Sequence, residues 1–267
     1  MEITNVCNLS CAFCAPSRRP PLFMPVETFK NIAGQIRSFA GIVSLHVLGE
    51  PFMHPQLPEI IRVCSDEGLN LNLVTNGTLL DKFGSGIFSE KSLRQLSLSL
   101  HSLGSLDRGT RMEKLARLVE FAKKKPENVI FSMRLRGDWN NDFERETAAY
   151  ILNAFNAAGN PPKTRGSIKL GGGIYLNSGP IFQWPGLGRY ERKKGCLGLR
   201  HHFAVLSNGD VVPCCIDYDG HMKLGNVAEK PLAEILDSGS ARQLKDSIAG
   251  ETPMPAYCAT CGFHSPQ

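Results

Sequence analysis

Residues 7–14 read Cys7-Asn8-Leu9-Ser10-Cys11-Ala12-Phe13-Cys14, and the rest of the chain is interpreted here from this stretch outward. Three residues separate the first two cysteines, two separate the second pair, and a phenylalanine precedes the third cysteine. Three thiolates this close in sequence can converge on one soft metal centre, and thiolates are the usual ligands of iron–sulfur clusters. Zinc is the competing metal, but a closed structural zinc site takes four ligands and no nearby histidine supplies the fourth. The motif therefore predicts a [4Fe–4S] cluster in which one iron is left for another ligand.

Strand patterns and helix patterns alternate around and after this motif. Such alternation indicates βαβ units and a parallel sheet, and right-handed crossovers bend that sheet toward a barrel. Six units are too few for an eight-fold barrel, so the sequence predicts an α/β fold with a partial (β/α)6 barrel over residues 1–175. The chemistry of such barrels gathers at the C-terminal ends of the strands. The predicted strands are 2–6, 42–48, 69–75, 93–100, 129–135 and 168–170, and the predicted helices are 25–39, 57–67, 114–125 and 147–158.

The pattern changes after residue 175, where glycine and proline become frequent. Residues 203–206 and 211–213 flank an Asn208-Gly209 turn and predict a β-hairpin. An apolar periodicity predicts one helix over residues 231–248. We therefore predict a second, small domain over residues 176–267, made of a β-hairpin plus a helix.

Four cysteines of this second domain form a full set of thiolate ligands. Four such ligands can close either a [4Fe–4S] cluster or a structural zinc site. Cys215 directly follows one of them, and neighbouring residues of a strand point to opposite faces, so we choose Cys214 over Cys215. The predicted ligands are Cys196, Cys214, Cys258 and Cys261.

Cys7, Cys11, Cys14 and the aromatic Phe13 resemble the signature of the radical S-adenosylmethionine (SAM) superfamily, whose fold is also a partial (β/α)6 barrel. The resemblance implies that the three cysteines hold a [4Fe–4S] cluster whose free iron chelates the amino and carboxylate groups of SAM. One electron then cleaves SAM to methionine and a 5′-deoxyadenosyl radical, which abstracts hydrogen from a substrate. The protein supplies binding, orientation and exclusion of side reactions.

The resemblance also suggests residues that contact SAM. Gly49-Glu50-Pro51 is similar to the family's Gly-Gly-Glu-Pro motif for the amino group, with Leu48 in place of the first glycine. Ser99 ends a predicted strand where the family often places a polar residue for the ribose hydroxyls. Arg134, or alternatively Arg136, suits the SAM carboxylate because a guanidinium can grip it with two hydrogen bonds. His101 and Asn76 lie at strand ends too, where we expect a hydrogen-bonded structural histidine and a turn.

The cysteines of the second domain, with Gly209 to Cys215 and the final CxxC pair, resemble the SPASM or twitch extension of radical SAM enzymes. The cysteines are too few for the full SPASM pattern, so the resemblance implies one auxiliary [4Fe–4S] cluster. Such a cluster can accept the electron of the substrate radical, which gives a two-electron oxidation. The implied function is oxidation of a small metabolite. The alternatives are a maturase acting on a peptide or protein side chain and, more remotely, a non-enzymatic zinc-binding module.

Composition limits the possible partners. The 267 residues are 42% hydrophobic and 21% charged, which is typical of one large or two small folded domains. A net charge of +5 is mild, so we do not expect nucleic acid as a partner. There is no apolar run of about 18 residues and no signal-peptide pattern, and the nine cysteines are clustered in metal-ligand spacings. We therefore expect a cytoplasmic protein without a membrane partner. The resemblance to radical SAM enzymes further implies an external electron donor such as flavodoxin or ferredoxin.

Overall fold

The structure is a computed structural model that describes residues 1–159, 165–182, 184–186 and 196–262. Within these ranges six strands share one sheet: β1 Ile42–Leu45, β2 Asn70–Thr75, β3 Leu93–Ser99, β4 Ile130–Arg136, β5 Gly166–Gly171 and β6 Ile174–Gly179. Their order in the sheet is β1-β2-β3-β4-β6-β5. All neighbours are parallel except β5, which runs antiparallel to β6 at one edge. The predicted α/β class with a parallel sheet is confirmed.

Four helices follow or connect these strands: α1 Val26–Ile36, α2 Leu57–Asp66, α3 Arg108–Lys123 and α4 Asp142–Ala154. α3 begins six residues, and α4 five residues, before the predicted start. The reason is capping: the side chain of Asp107 accepts from the Thr110 amide, and that of Asn141 accepts from the Phe143 amide. Side-chain caps satisfy the free amides of a first turn, so a helix can begin before its first apolar residue. None of the helices in the described ranges is long and apolar enough to cross a bilayer.

Residues 2–6 do not form the predicted first strand. Their backbone partners are divided among three segments, so no continuous ladder develops. The Met1 carbonyl accepts from the His46 amide, the Glu2 amide donates to the Val205 carbonyl, and the Ile3 carbonyl accepts from the Met24 amide. This buried segment therefore joins the edge of the large sheet to the C-terminal part of the chain.

The large sheet also extends further than predicted. The predicted sixth strand is the antiparallel β5, and the parallel position beside β4 is taken by β6, which the sequence prediction missed. The 171–173 segment forms the turn between them with three glycines at positive φ. Because β6 runs to Gly179, the predicted domain boundary at residue 175 falls inside a strand of the sheet.

The C-terminal part contains a small antiparallel sheet of β7 Ala204–Val205, β8 Asp210–Val212 and β9 Gly225–Asn226. The predicted hairpin is therefore present, with a third strand beside it. The predicted helix over 231–248 is two helices, α5 Leu232–Leu236 and α6 Gly239–Ala249, and α7 Ala256–Ala259 follows. The break occurs because the side chain of Ser238 accepts from the Ala241 amide and starts a new helix.

The two faces of the large sheet differ in polarity. Alternate residues of the central strands, such as Leu73 and Leu96, are fully buried and belong to the main hydrophobic core. The other alternation carries polar side chains that bond to each other, since Ser97 Oγ donates to Asn72 Oδ1 at 2.9 Å and Asn177 Nδ2 donates to Ser132 Oγ at 2.8 Å. This polar face continues to Ser99 and Arg134 at the C-terminal ends of the strands, as is expected for the interior face of a barrel.

Candidate functional site

A cavity of about 690 Å³ lies at the C-terminal ends of the parallel strands. Its lining comes from the loop of residues 7–17, from residues at or just after the ends of β1 to β4, and from residues 180–182 with Trp184. The structure thus brings every predicted cysteine and SAM-contact position of the N-terminal part to one cavity: Cys7, Cys11, Cys14, Gly49, Glu50, Ser99 and Arg134.

The three cysteines present thiols with different surroundings. Cys11 lies near Ser105, with 3.9 Å between Sγ and Oγ, and a hydrogen bond from the Cys14 thiol lowers the pKa of Cys11 to about 7. Cys7 Sγ receives the Leu9 amide at 3.4 Å and the Asn76 Nδ2 at 3.9 Å. Burial raises the pKa of Cys7, and these two donors oppose the rise, because donors aimed at sulfur favour the thiolate that binds metal.

No group of three His, Cys, Asp or Glu side chains in the described ranges is close enough to hold a single metal ion. A [4Fe–4S] cluster makes a different demand, because each thiolate binds its own iron of a multi-iron unit. The thiols of Cys7, Cys11 and Cys14 line one cavity with open space beside them, and this arrangement fits a cluster in which each thiolate binds a different iron.

Glu50 connects the ends of two strands. Its carboxylate is buried and accepts from Thr75 Oγ1 at 2.7 Å, the Asn76 amide at 2.7 Å and the Phe52 amide at 3.1 Å. Burial raises the pKa of Glu50, while these hydrogen bonds oppose the rise. A carboxylate has about four lone-pair positions, so one remains for a ligand after these three bonds.

Gly49 has a structural reason to be glycine. Its φ is +73°, and a Cβ at this position would overlap the carbonyl oxygen of Thr4. Gly49 therefore permits the backbone at residue 49 to approach the backbone of Thr4, in the segment before the cluster loop.

Asn76 has two roles. Its Oδ1 accepts from the Thr78 amide in a turn, and its Nδ2 donates to Asn8 Oδ1 at 3.0 Å.

Arg134 carries the least satisfied charge of the cavity. Its Nη2 donates to Ser99 Oγ at 3.3 Å, whereas its buried Nε has no hydrogen-bond partner among the residues that the structure describes. Burial, reinforced by the charge of Arg136, lowers the pKa of Arg134 to about 10, so the guanidinium is still charged at neutral pH. A buried cation with an unused donor in a cavity fits an anionic ligand.

His101 lies beside this arginine. Its Nδ1 is 3.1 Å from the Arg134 carbonyl, so Nδ1 carries the proton and the other ring nitrogen is left as an acceptor. The imidazole packs against Phe13 of the cluster loop with ring centres 5.0 Å apart. Burial and the nearby charges of Arg134 and Arg136 lower the pKa of His101 to about 4.

A second, smaller cavity of about 70 Å³ lies in the C-terminal part of the chain. Its walls contain all four predicted ligands and their neighbour: Cys196, Cys214, Cys258, Cys261 and Cys215. Burial raises the pKa of the Cys214 thiol, while the backbone amides of Ile216 and Asp217 point at its sulfur and oppose the rise, as is suited to a thiolate ligand. Cys215 instead packs beside an apolar cluster that contains Leu206 and Val212. This small cavity of thiols fits a cluster ligated by cysteines.

A row of aromatic side chains joins the two cavities, and the sequence prediction missed it because its members are far apart in the chain. Trp184 Nε1 donates to the Phe13 carbonyl at 2.8 Å, and the centre of its ring is 5.2 Å from that of Tyr218. The ring centres of Tyr218 and His221 are 6.2 Å apart, and His221 stacks on Tyr257 with ring centres 4.5 Å apart. The row therefore runs from the first cysteine motif to the residue before the C-terminal CxxC pair.

Two family models match the chain. Residues 1–149 match the model described as the radical SAM superfamily. Residues 196–262 match the SPASM model, described as an iron–sulfur cluster-binding domain. Each match coincides with one of the two cysteine-lined cavities.

Curated relatives cover different parts of the chain. The Fe-coproporphyrin III synthase of Methanosarcina barkeri is 30% identical over 105 residues, which are 38% of this chain and 26% of that protein. The chain thus matches about a quarter of this relative's length. The AdoMet-dependent heme synthase of the same organism is 23% identical over 97% of this chain and 89% of its own length.

Solved structures share the fold. A crystal structure of BtrN in complex with AdoMet and 2-DOIA is 16% identical, covers 98% of this chain and 91% of that chain, and has a TM-score of 0.58. A crystal structure of Streptococcus suis SuiB bound to precursor peptide SuiA is also 16% identical, covers 98% of this chain and 68% of that chain, and has a TM-score of 0.58. At this identity the likeness concerns the fold alone.

The radical SAM match spans more than half of the chain. A radical SAM domain binds a [4Fe–4S] cluster and SAM, and an SPASM domain binds auxiliary iron–sulfur clusters. The chain therefore belongs to the radical SAM superfamily and carries an SPASM iron–sulfur cluster-binding domain at its C-terminal end.

Proposed function

We propose that this chain is a radical SAM oxidoreductase that oxidises a small metabolite. The observation that carries the proposal is the meeting of three motif cysteines and an unsatisfied buried guanidinium, that of Arg134, in one cavity. When bound, the clusters and SAM supply a 5′-deoxyadenosyl radical, which abstracts hydrogen from a substrate C–H bond, and an acceptor for the electron that remains. The electron for SAM cleavage comes from an external donor such as flavodoxin or ferredoxin.

The residues have separate roles in this proposal. Cys7, Cys11 and Cys14 hold the cluster that engages SAM, and Arg134 binds the SAM carboxylate through its unused donor. Ser99, which already accepts from Arg134, offers its hydroxyl to the ribose. Glu50 has one lone-pair position left for the ammonium group, and its other bonds fix the strand ends that shape the cavity.

The second cavity holds the auxiliary cluster in this proposal. Its ligands are Cys196, Cys214, Cys258 and Cys261. Cys214 is preferred to Cys215 because two backbone amides point at its sulfur, whereas Cys215 packs beside apolar side chains. Such amide donors stabilise a thiolate and influence the reduction potential of a cluster.

A small substrate is supported by the volume of the first cavity, about 690 Å³, because SAM and the cluster occupy part of this space and leave only the remainder to the substrate. The second candidate function is maturation of a peptide side chain, because the structure of SuiB with its precursor peptide has the same fold. The zinc-module alternative is not proposed, since both family matches describe iron–sulfur proteins.

The test is anaerobic turnover. The protein is reconstituted with iron and sulfide, reduced with dithionite and supplied with SAM, and 5′-deoxyadenosine is quantified by mass spectrometry. We expect product from the wild type and none from a variant with Cys7, Cys11 and Cys14 all changed to alanine. A fully iron-loaded wild-type protein that binds SAM but yields no 5′-deoxyadenosine with any small-molecule or peptide pool would contradict the proposal.

A further inference from the structure

A second arginine reaches the same cavity beyond Arg134. Arg136 follows it by two residues on β4, so both side chains project to the same face of the sheet. Arg136 Nη1 donates to the Ser178 carbonyl at 2.9 Å. Burial, and after it the charge of Arg165 just before β5, lowers the pKa of Arg136. Two guanidinium groups, those of Arg134 and Arg136, therefore line the cavity.

Among the residues that the structure describes, the charges of Arg134 and Arg136 lack protein counter-ions. In the described ranges neither Arg134 nor Arg136 has a carboxylate within ion-pair distance. The carboxylate that lines the cavity, Glu50, is engaged by three hydrogen bonds from its own chain. A desolvated cation without a partner is costly, and a bound anion offsets the cost.

The backbone next to Arg136 is shaped to leave room for its guanidinium. Gly179 is the register partner of Arg136 on β6. A Cβ at Gly179 would overlap Nη1 of Arg136, although the backbone there is not in the left-handed region that favours glycine. The missing side chain at Gly179 therefore provides space for the guanidinium at the cavity wall.

We propose that Arg136 binds an anionic group of the substrate, a carboxylate or a phosphate, so that the substrate is an organic anion. The inference rests on the proposed function, in which SAM occupies Arg134 and leaves Arg136 to the substrate. A guanidinium suits either group because its planar donors match two oxygens at once.

The experiment is calorimetry on the reconstituted enzyme saturated with SAM, with succinate and pyrophosphate as probes and succinamide as the uncharged control. We expect the wild type to bind at least one anion and not succinamide. Arg136→Gln should weaken the binding about tenfold or more, as expected for loss of a charge-assisted hydrogen bond. Gly179→Ala keeps the charge but displaces the guanidinium, and it should weaken binding in the same direction. The control Arg117→Gln, in an exposed pair with Glu113 on α3, should bind as the wild type does.

The outcomes separate the two proposals. Binding of succinate alone identifies a carboxylate site, and binding of pyrophosphate alone identifies a phosphate site. A wild type that binds SAM but neither anion would overturn the inference, as would unchanged anion affinity in both Arg136→Gln and Gly179→Ala. A wild type that fails to bind SAM would instead count against the proposed function. If Arg136→Gln does not fold, Gly179→Ala decides.

Discussion

Glu2 and Arg19 form a two-pronged ion pair across the base of the first cysteine loop, with each carboxylate oxygen 2.7 Å from one guanidinium nitrogen. The side chain of Glu2 is fully enclosed, and its carboxylate also accepts from the amide and the hydroxyl of Ser207 at 3.1 and 2.8 Å. Glu2 precedes the cysteine loop and Arg19 follows it, so the pair joins the two ends of this segment to each other and to Ser207 of the C-terminal domain.

Replacing Glu2 by glutamine should lower the free energy of unfolding by about 3 kcal/mol, because breaking one side of a buried pair leaves an uncompensated charge. The remaining carboxylate near Arg19 is that of Asp219, with Oδ1 3.7 Å from Nε. Urea unfolding measures the change. Arg242→Gln removes an exposed pair with Asp237 and should cost less than about 1 kcal/mol. Equal losses in both variants would show that burial of the Glu2 pair has no special weight.

Gly49→Ala should destabilise the protein by more than about 2 kcal/mol, because it combines a left-handed backbone with an overlap against the Thr4 carbonyl. Gly68 is the matched control: its φ is +67°, and a Cβ there meets no atom within 4 Å. Gly68→Ala should therefore cost only the backbone strain, about 1 kcal/mol. Thermal or urea unfolding of the two variants gives the comparison, and the prediction fails if Gly68→Ala is as damaging as Gly49→Ala.

Cys214→Ser should remove about half of the cluster iron, while Cys215→Ser should retain it, since Cys214 is the sulfur that receives two backbone amides. Iron and sulfide analysis of the reconstituted proteins measures this, and electron paramagnetic resonance of the reduced samples shows which cluster signal is lost. The reverse pattern would make Cys215 the ligand.

His101 should make stability fall in mildly acidic solution. Its pKa in the folded protein, about 4, lies below its ordinary value of 6.5, so the unfolded chain takes up the proton first. Above pH 6.5 His101 therefore does not change the free energy of unfolding. As the pH falls below 6.5, His101 lowers the free energy of unfolding by at most about 1.4 kcal/mol per pH unit. Urea unfolding from pH 8 to 5 should show a smaller loss in His101→Gln. Identical pH profiles would mean that folding does not lower the pKa of His101.

The features that the sequence predicts correctly depend on residues that are close together in the chain. The cysteine spacings and the strand ends at Glu50, Ser99 and Arg134 could be placed because each follows a short apolar run, and parallel strands bring their C-terminal ends together. The choice of Cys214 over Cys215 was argued from strand alternation and stays a prediction, since β8 ends at Val212, before both cysteines.

The features that escaped prediction depend on contacts between distant segments. Residues 2–6 alternate like a strand, but their amides and carbonyls are shared among three partners. The strand β6 was missed because Asn177 and Ser178 interrupt its apolar pattern, and Asn177 is polar because it bonds to Ser132 on the inner face. The Glu2–Arg19 pair could not be predicted, because the two residues are 17 positions apart and no hydrophobic pattern relates them.

The hydrogen bond from Trp184 to the Phe13 carbonyl gives the protein an internal optical probe. The chain has two tryptophans, and the other, Trp139, is buried away from both cavities. Changing Trp139 to phenylalanine leaves a single indole that touches both the cysteine loop and Tyr218 of the C-terminal domain. The wavelength and intensity of its fluorescence then report, in real time and without an added label, on the contact between the cysteine loop and the C-terminal domain.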